Sequence, residues 1–327
     1  MTKSKNNGYY QVIDANINRV AEGLRVIEDY TRFISKQKVQ TDRLAQLRKQ
    51  INQSETDFVK HLLIRDVAKD MRATDIPPKR EDIPTLLKAN FKRIEEGLRV
   101  LEEYTGNSLY NRIRYEIYTL EKEIILTALK PILCSGVYLI SDNELILEQG
   151  LTWKVSAIQL RDKINSKQII LKKALRIQKK AKQAGIPFII NDYLDVALLS
   201  DADGLHTGQD DLAIPLIRQL LGPHKLIGRS TQTLKEGIKA QEDGADYIGI
   251  GPILSTPSKP EQQAIGLNYL KLANKHITIP YVAIGGINLK TMAQIAPCKP
   301  PLVALIRAYK ESLEIKKKYF SKQTATI

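Results

Sequence analysis

Cysteine is nearly absent from this 327-residue chain, which holds only Cys134 and Cys298. Two thiols so far apart supply neither a disulfide framework nor metal-ligand spacing, so a reduced, cytoplasmic setting is expected. No uncharged apolar run approaches the roughly 20 residues that span a bilayer. The opening MTKSKNNGYY has no apolar signal core, so neither membrane insertion nor export is expected. A GxxxxGK(S/T) phosphate loop is also missing. The formal charge of +14, from 50 Lys and Arg against 36 Asp and Glu, comes without a compact basic arm or interleaved aromatics. It therefore reads as a solvated basic surface, with phosphorylated small molecules as admissible partners and nucleic acid not expected.

What is present is a repeat. RVAEGLRVIEDYT at residues 19–31 returns as RIEEGLRVLEEYT at 93–105, an offset of 74 residues. Each copy is preceded by an asparagine, Asn16 or Asn90, three positions before its first arginine. Ile17, Val20, Leu24 and Ile27 form one helical stripe, which the second copy repeats. Asn16, Arg19, Glu22 and Arg25 recur as Asn90, Arg93, Glu96 and Arg99, while Gly23 and Gly97 remove a side chain where a neighbour could approach. TDRLAQLRKQI, ETDFVKHLLI and NRIRYEIYTLEKEIILTAL add helical stretches, and the prolines of ATDIPPKREDIP exclude a continuous helix between the copies. Residues 1–130 are expected to be an all-α domain with an internal repeat, in which repeated salt bridges could hold a duplicated bundle.

After Pro131 the texture changes. Short apolar runs bounded by Gly, Pro, Asn or Asp alternate with amphipathic segments of ten or more residues. Eight such runs start at GVYLI, VSAIQL, PFII, DGLHT, KLIG, DYIGIG, PYVAIGG and LVALI. Eight strands each followed by a helix, with no GxGxxG after the first, favour a closed (β/α)8 TIM barrel over residues 131–327 rather than a doubly wound sheet.

Barrel chemistry sits where the strands end, and here the strand ends are polar or glycine-rich. Gln159, Arg161 and Lys163 follow the second run, Asn191 and Asp192 the third, and His206, Gln209 and Asp211 the fourth. Arg229 and Ser230 follow the fifth, Thr256, Ser258 and Lys259 the sixth, and Gly285 and Gly286 the seventh. From the residues alone, Asp211 reads first as a cap of the helix DLAIPLIRQLL, a reading that its place on the rim reverses, and the glycine pair reads as a tight turn.

The segments IQLRDK, FIINDYLDVALLSDADGLHTGQDD, IGRST, GADYIGIGPILSTPSK and VAIGGI resemble, in their order, thiamine phosphate synthase. That resemblance implies a transferase joining 4-amino-2-methyl-5-hydroxymethylpyrimidine diphosphate to thiazole phosphate, with loss of pyrophosphate. It implies Mg²⁺ held by Asp192 and Asp211. Gln159, Arg161, Lys163 and Asn191 would contact the pyrimidine substrate, while Ser230 and Lys259 would be catalytic contacts to the diphosphate. Thr256, Ser258, Gly285 and Gly286 would cradle the thiazole phosphate. His206 is expected to be hydrogen-bonded rather than catalytic. KPPLVALIRAYK departs from the family where a small hydroxyl residue is usual, and places Arg307 near that phosphate.

The repeat region resembles the N-terminal domain fused to some of these synthases, associated with hydroxymethylpyrimidine phosphate kinase activity. That likeness extends to IRDVAKDM, residues 64–71, with Arg65, Asp66 and Asp70. It implies ATP as phosphoryl donor, bound, without a phosphate loop, by this Arg and carboxylate set. Homo-oligomers are compatible with the sequence. The alternatives are a thiazole tautomerase-like barrel, distinguished by absence of pyrophosphate release, and a non-catalytic regulatory or nucleic-acid-binding protein, distinguished by salt-sensitive binding.

Overall fold

The computed structural model describes residues 2–54, 63, 79–257 and 262–321. Two compact units divide the chain, Met1–Leu129 and Lys130–Ile327.

The first unit contains helices α1 (Thr2–Asp29), α2 (Lys38–Gln53), α3 (Ile83–Thr105) and α4 (Ser108–Ala128). The stretch 55–62, most of ETDFVKHLLI, lies outside the described residues. Asp82 starts α3 by accepting the Thr85 N–H at 2.7 Å, and Gly106, at φ +65°, ends it. Ile13, Ile17, Val20, Leu24 and Ile27 of α1 are buried, and so are their counterparts 74 residues on, Leu87, Phe91, Ile94, Leu98 and Leu101. Burying each such side chain contributes ~1.5–3 kcal/mol, so the repeated stripe is the unit's core.

The two copies pack on each other reciprocally. Gly23 lies against Ile94 and the Asn90 carbonyl, and Gly97 against Val20 and the Asn16 carbonyl. As numbers rise along α1 the partners fall along α3, so the helices cross antiparallel about Val20 and Ile94. Both glycines let the backbones meet, because a Cβ on either would stand under 3 Å from the facing side chain. The offset then falls from 74 to 73: Leu44, Leu47 and Ile51 of α2 correspond to Ile117, Leu120 and Ile124 of α4. The π-helical turn Tyr30–Ile34 lies in the longer of the two connections.

In the second unit, parallel strands β1 (Gly136–Ser141), β2 (Ala157–Leu160), β3 (Phe188–Asn191) and β4 (Gly204–Thr207) are followed by β5 (Leu226–Thr231), β6 (Tyr247–Ile250), β7 (Tyr281–Ala283) and β8 (Leu302–Leu305). They form a closed barrel in sequence order, with β8 returning to β1 through Val137 and Val303. Alternation sorts their side chains. Val137, Leu139, Ile158, Phe188, Ile190, Ile227 and Ile248 join the core that includes the surrounding helices, whereas Tyr138, Ile140, Ala157, Ile189, Leu226, Tyr247, Val282 and Leu302 fill the barrel. Lys316 to Lys318 belong to the last helix, Ser312–Phe320, where Lys316 Nζ donates to the carbonyls of Trp153 and Lys154. Among the described residues no helix is long and apolar enough to cross a membrane.

Candidate active site

A cavity of about 870 Å³ opens at the strand ends of the barrel. Gln159, Arg161, Lys163, Asn191, Asp192, Asp211, Ser230, Thr256, Gly285, Gly286 and Arg307 all line it. Ser258 and Lys259 lie outside the described residues.

Its carboxylates are held differently. Asp192 sits just past β3 at φ +63°, a left-handed conformation that aspartate tolerates better than branched residues. Its N–H donates to the His206 carbonyl at 2.8 Å, and its carboxylate lies 3.5 Å from Lys163 Nζ. Asp211 Oδ2 accepts the Gly208 N–H at 2.7 Å. It is not a helix cap: the helix Ile214–Leu221 begins after Ala213 without a side-chain cap bond. The loop that carries Asp211 is fastened by buried Arg229, which donates to the carbonyls of Gly208 and, at 2.6 Å, Leu212. Burial pushes the Arg229 guanidinium below its ordinary value, opposed by the charge of Asp211.

Magnesium keeps several waters and takes one or two carboxylates together with substrate phosphate oxygens. Asp192 and Asp211, which both line the cavity, fit that habit, since Asp211 Oδ1 makes no hydrogen bond among the described residues. No group of three or more His, Cys, Asp or Glu able to hold a metal occurs among the described residues.

The cavity floor is a polar chain inside an otherwise apolar barrel. Gln159 Nε2 donates to Tyr138 Oη at 2.8 Å, and the Tyr138 and Tyr247 hydroxyls meet at 2.9 Å. His206 lies between Tyr247 Oη, 3.1 Å from Nδ1, and Ser230 Oγ, 2.9 Å from Nε2. Burial drives the pKa of both phenols upward. Glycine makes room for them, because a Cβ on Gly228 would collide with the Tyr247 ring. Tyr138 and Tyr247 are not among the residues that the sequence singles out; the two-residue period of β1, which puts Tyr138 and Ile140 on one inward face, is the signal that could have found the first of them.

Below the Arg161 turn, buried Asp162 accepts Lys173 Nζ at 2.7 Å and the N–H groups of Ile164 and Asn165. Burial alone would raise its pKa, but these donors together hold it well below the usual carboxylate range. Gly285 and Gly286, at φ +102° and +68°, are not a plain turn. The close approach they permit is to the loop after β6, where a Cβ would stand 2.5 Å from Pro252 Cα or 2.7 Å from Leu254 Cβ.

The candidates of the helical unit differ in burial and partners. Asn16 and Asn90 are buried and donate Nδ2 to the carbonyls of Val12 and Leu86, four residues earlier. Arg25 pairs with Glu28 and Asp29, and Arg99 repeats this with Glu102 and Glu103. Those acids also reach the next helix of each hairpin, Glu28 to Arg48 at 2.8 Å and Glu102 to Arg114 at 2.9 Å. Arg19, Glu22, Arg93 and Glu96 are exposed, with Arg19 donating to Asn16 Oδ1 at 3.1 Å. Arg65, Asp66 and Asp70 lie outside the described residues.

Residues 132–309 match the model of the thiamine monophosphate synthase family, and residues 11–123 that of the ThiD2 family. Thiamine-phosphate synthase of Thermosynechococcus vestitus is 37% identical over 91% of this chain and 89% of its own. The enzyme of that name from a Nostoc species is 38% identical over 91% and 89%. Among solved structures, thiamine phosphate pyrophosphorylase from Pyrococcus furiosus superposes with a TM-score of 0.54 and 26% identity, covering 60% of this chain and 100% of that one.

Proposed function

The chain belongs to the thiamine monophosphate synthase family, and from that premise we propose that its barrel cavity binds the pyrimidine diphosphate and the thiazole phosphate side by side. The reaction is that of a thiamine-phosphate synthase. The bond between the pyrimidine methylene carbon and the diphosphate oxygen breaks, its electron pair leaving with pyrophosphate, and the thiazole nitrogen bonds to the same carbon. The electron-rich aminopyrimidine carries the transient positive charge, so no strong base is required. The protein's task is to orient the partners and offset the charge on the departing group.

The observation that carries this reading is the one cavity at the strand ends into which Asp192, Asp211, Arg161, Lys163, Arg307 and Ser230 are gathered. In it, Gln159 and Asn191 meet the pyrimidine, and Arg161, Lys163 and Ser230 the diphosphate, with Lys259 assigned there by the family resemblance. Thr256, Ser258, Gly285, Gly286 and Arg307 take the thiazole phosphate. Mg²⁺ on Asp192 and Asp211 would supply positive charge to the leaving diphosphate. The chain is read as a cytoplasmic enzyme without nucleic-acid partners.

Assaying pyrophosphate from the purified chain with both substrates, with and without a chelator, tests this. Release without either substrate partner, or no release at all, contradicts the coupling reaction, and chelator-insensitive release contradicts the metal assignment. A tautomerase-like barrel would release none.

A second reading is favoured for the helical unit by its ThiD2 family match over residues 11–123. It transfers the terminal phosphoryl group of ATP to hydroxymethylpyrimidine phosphate, forming the diphosphate that the barrel consumes. Arg19, Glu22, Arg93 and Glu96 are exposed and available to such ligands.

A further inference from the structure

Five side chains form an unbroken chain across the cavity floor, from Gln159 through Tyr138, Tyr247 and His206 to Ser230. Both ends line the cavity, and both tyrosines are buried. An amide nitrogen only donates, and a phenol has one proton to give. With Tyr138 Oη accepting from Gln159 Nε2, the order that uses every hydroxyl proton along the chain sends the Tyr138 proton to Tyr247 Oη. The Tyr247 proton then goes to His206 Nδ1. That nitrogen accepts only when the neutral imidazole carries its proton on Nε2, which donates to Ser230 Oγ. The Ser230 proton is left for the cavity. At the other end, Gln159 spends Nε2 on Tyr138, which leaves Oε1 as the amide atom for a ligand in the cavity.

We propose that this relay is a polarity lock, in which Tyr138, Tyr247 and His206 are positioning residues that present an acceptor, Gln159 Oε1, to the pyrimidine's exocyclic amine and a donor, Ser230 Oγ–H, to its diphosphate. The inference rests on reading the cavity as the pyrimidine diphosphate site. Turning the Gln159 amide over would reverse every link, aiming an NH₂ at the ring and serine lone pairs at the diphosphate. A 4-oxo ring favours that reversed order while its diphosphate opposes it, so the two ends together select the 4-amino ring. Because burial raises both phenols, neither loses its proton near neutral pH.

The test is Tyr247→Phe in the full chain, which keeps the ring and cuts the relay at its centre. Tyr138 is then free to donate to a turned-over Gln159. The preference in kcat/KM for the 4-amino over the 4-oxo pyrimidine diphosphate should fall about tenfold or more, mostly by a gain or a smaller loss with the 4-oxo substrate. Equal losses with both substrates, leaving the ratio unchanged, would reduce Tyr247 to packing and overturn the proposal. Should that variant fail to fold, nitrogen NMR of the wild-type chain labelled at histidine, assigned with His206→Gln, reads the same order. A neutral His206 protonated on Nε2 supports the relay, and protonation on Nδ1 overturns it. A wild type that forms no product defeats the functional reading, whereas the tautomer still tests the relay.

Discussion

A Cβ placed on Gly23 would stand 2.8 Å from Ile94 Cγ1, and the equivalent pair 74 residues away, Gly97 and Val20, repeats the approach at 2.7 Å. Gly97→Ala should therefore destabilise the helical unit by ~1–3 kcal/mol despite alanine's better helix propensity. Val20→Ala removes the opposing methyl groups, so in the double variant the two losses should be clearly less than additive. Hydrogen exchange along α1 and α3 of the full chain measures this; strict additivity would mean that the contact is not the constraint.

Asp211→Asn keeps an oxygen to accept the Gly208 N–H but removes the charge. Turnover should fall on the order of a hundredfold with little change in melting temperature. Wild-type turnover would remove Asp211 from the metal site, and a large loss of stability would make it a loop fastener.

Arg307 is exposed at the rim while lining the cavity. Arg307→Ala is expected to raise KM for thiazole phosphate about tenfold or more, leaving KM for the pyrimidine diphosphate unchanged. A change in thermal stability alone would assign it a structural role.

Asp162 links stability to pH. Its folded pKa is depressed, so its contribution is full above the ordinary aspartate value, about 3.9, and is lost as pH falls through the lower folded value. Asp162→Asn should cost about 3 kcal/mol at neutral pH, because Lys173 is left without its buried partner. Urea titrations at pH 7 and pH 3 should show that difference shrinking in acid; a constant difference would exclude the ionic account.

Arg19→Ala or Arg93→Ala should impair ATP-dependent phosphorylation of the pyrimidine monophosphate and leave coupling of supplied diphosphate intact. Unchanged phosphorylation in both variants would return the exposed arginines to solvent.

How much of this was readable beforehand depends on periodicity. All eight strands were legible because apolar runs such as PFII and LVALI are short and sharply bounded, and closure places their polar sequels on one rim. The repeat was legible by identity, and its core by the stripe from Ile17 to Ile27. The offset change from 74 to 73 was not, because a π-helical turn has no strong one-dimensional signal. Tyr138 and Tyr247 were hidden by amphiphilicity: in a strand, a tyrosine reads as apolar filling, and only the meeting of β1 and β6 across the barrel brings their hydroxyls together. Asp211 was ambiguous for a similar reason, since an aspartate before a helix reads as a cap until the helix is seen to begin later, after Ala213.

Phosphorus NMR of the full chain mixed with hydroxymethylpyrimidine diphosphate, thiazole phosphate and Mg²⁺ tests the central claim most directly. Thiamine phosphate and pyrophosphate should appear in equal amounts as both substrates disappear, and Asp192→Asn should slow both products together. Two substrate spectra that persist unchanged beside the folded wild-type protein, or pyrophosphate without thiamine phosphate, would contradict the account.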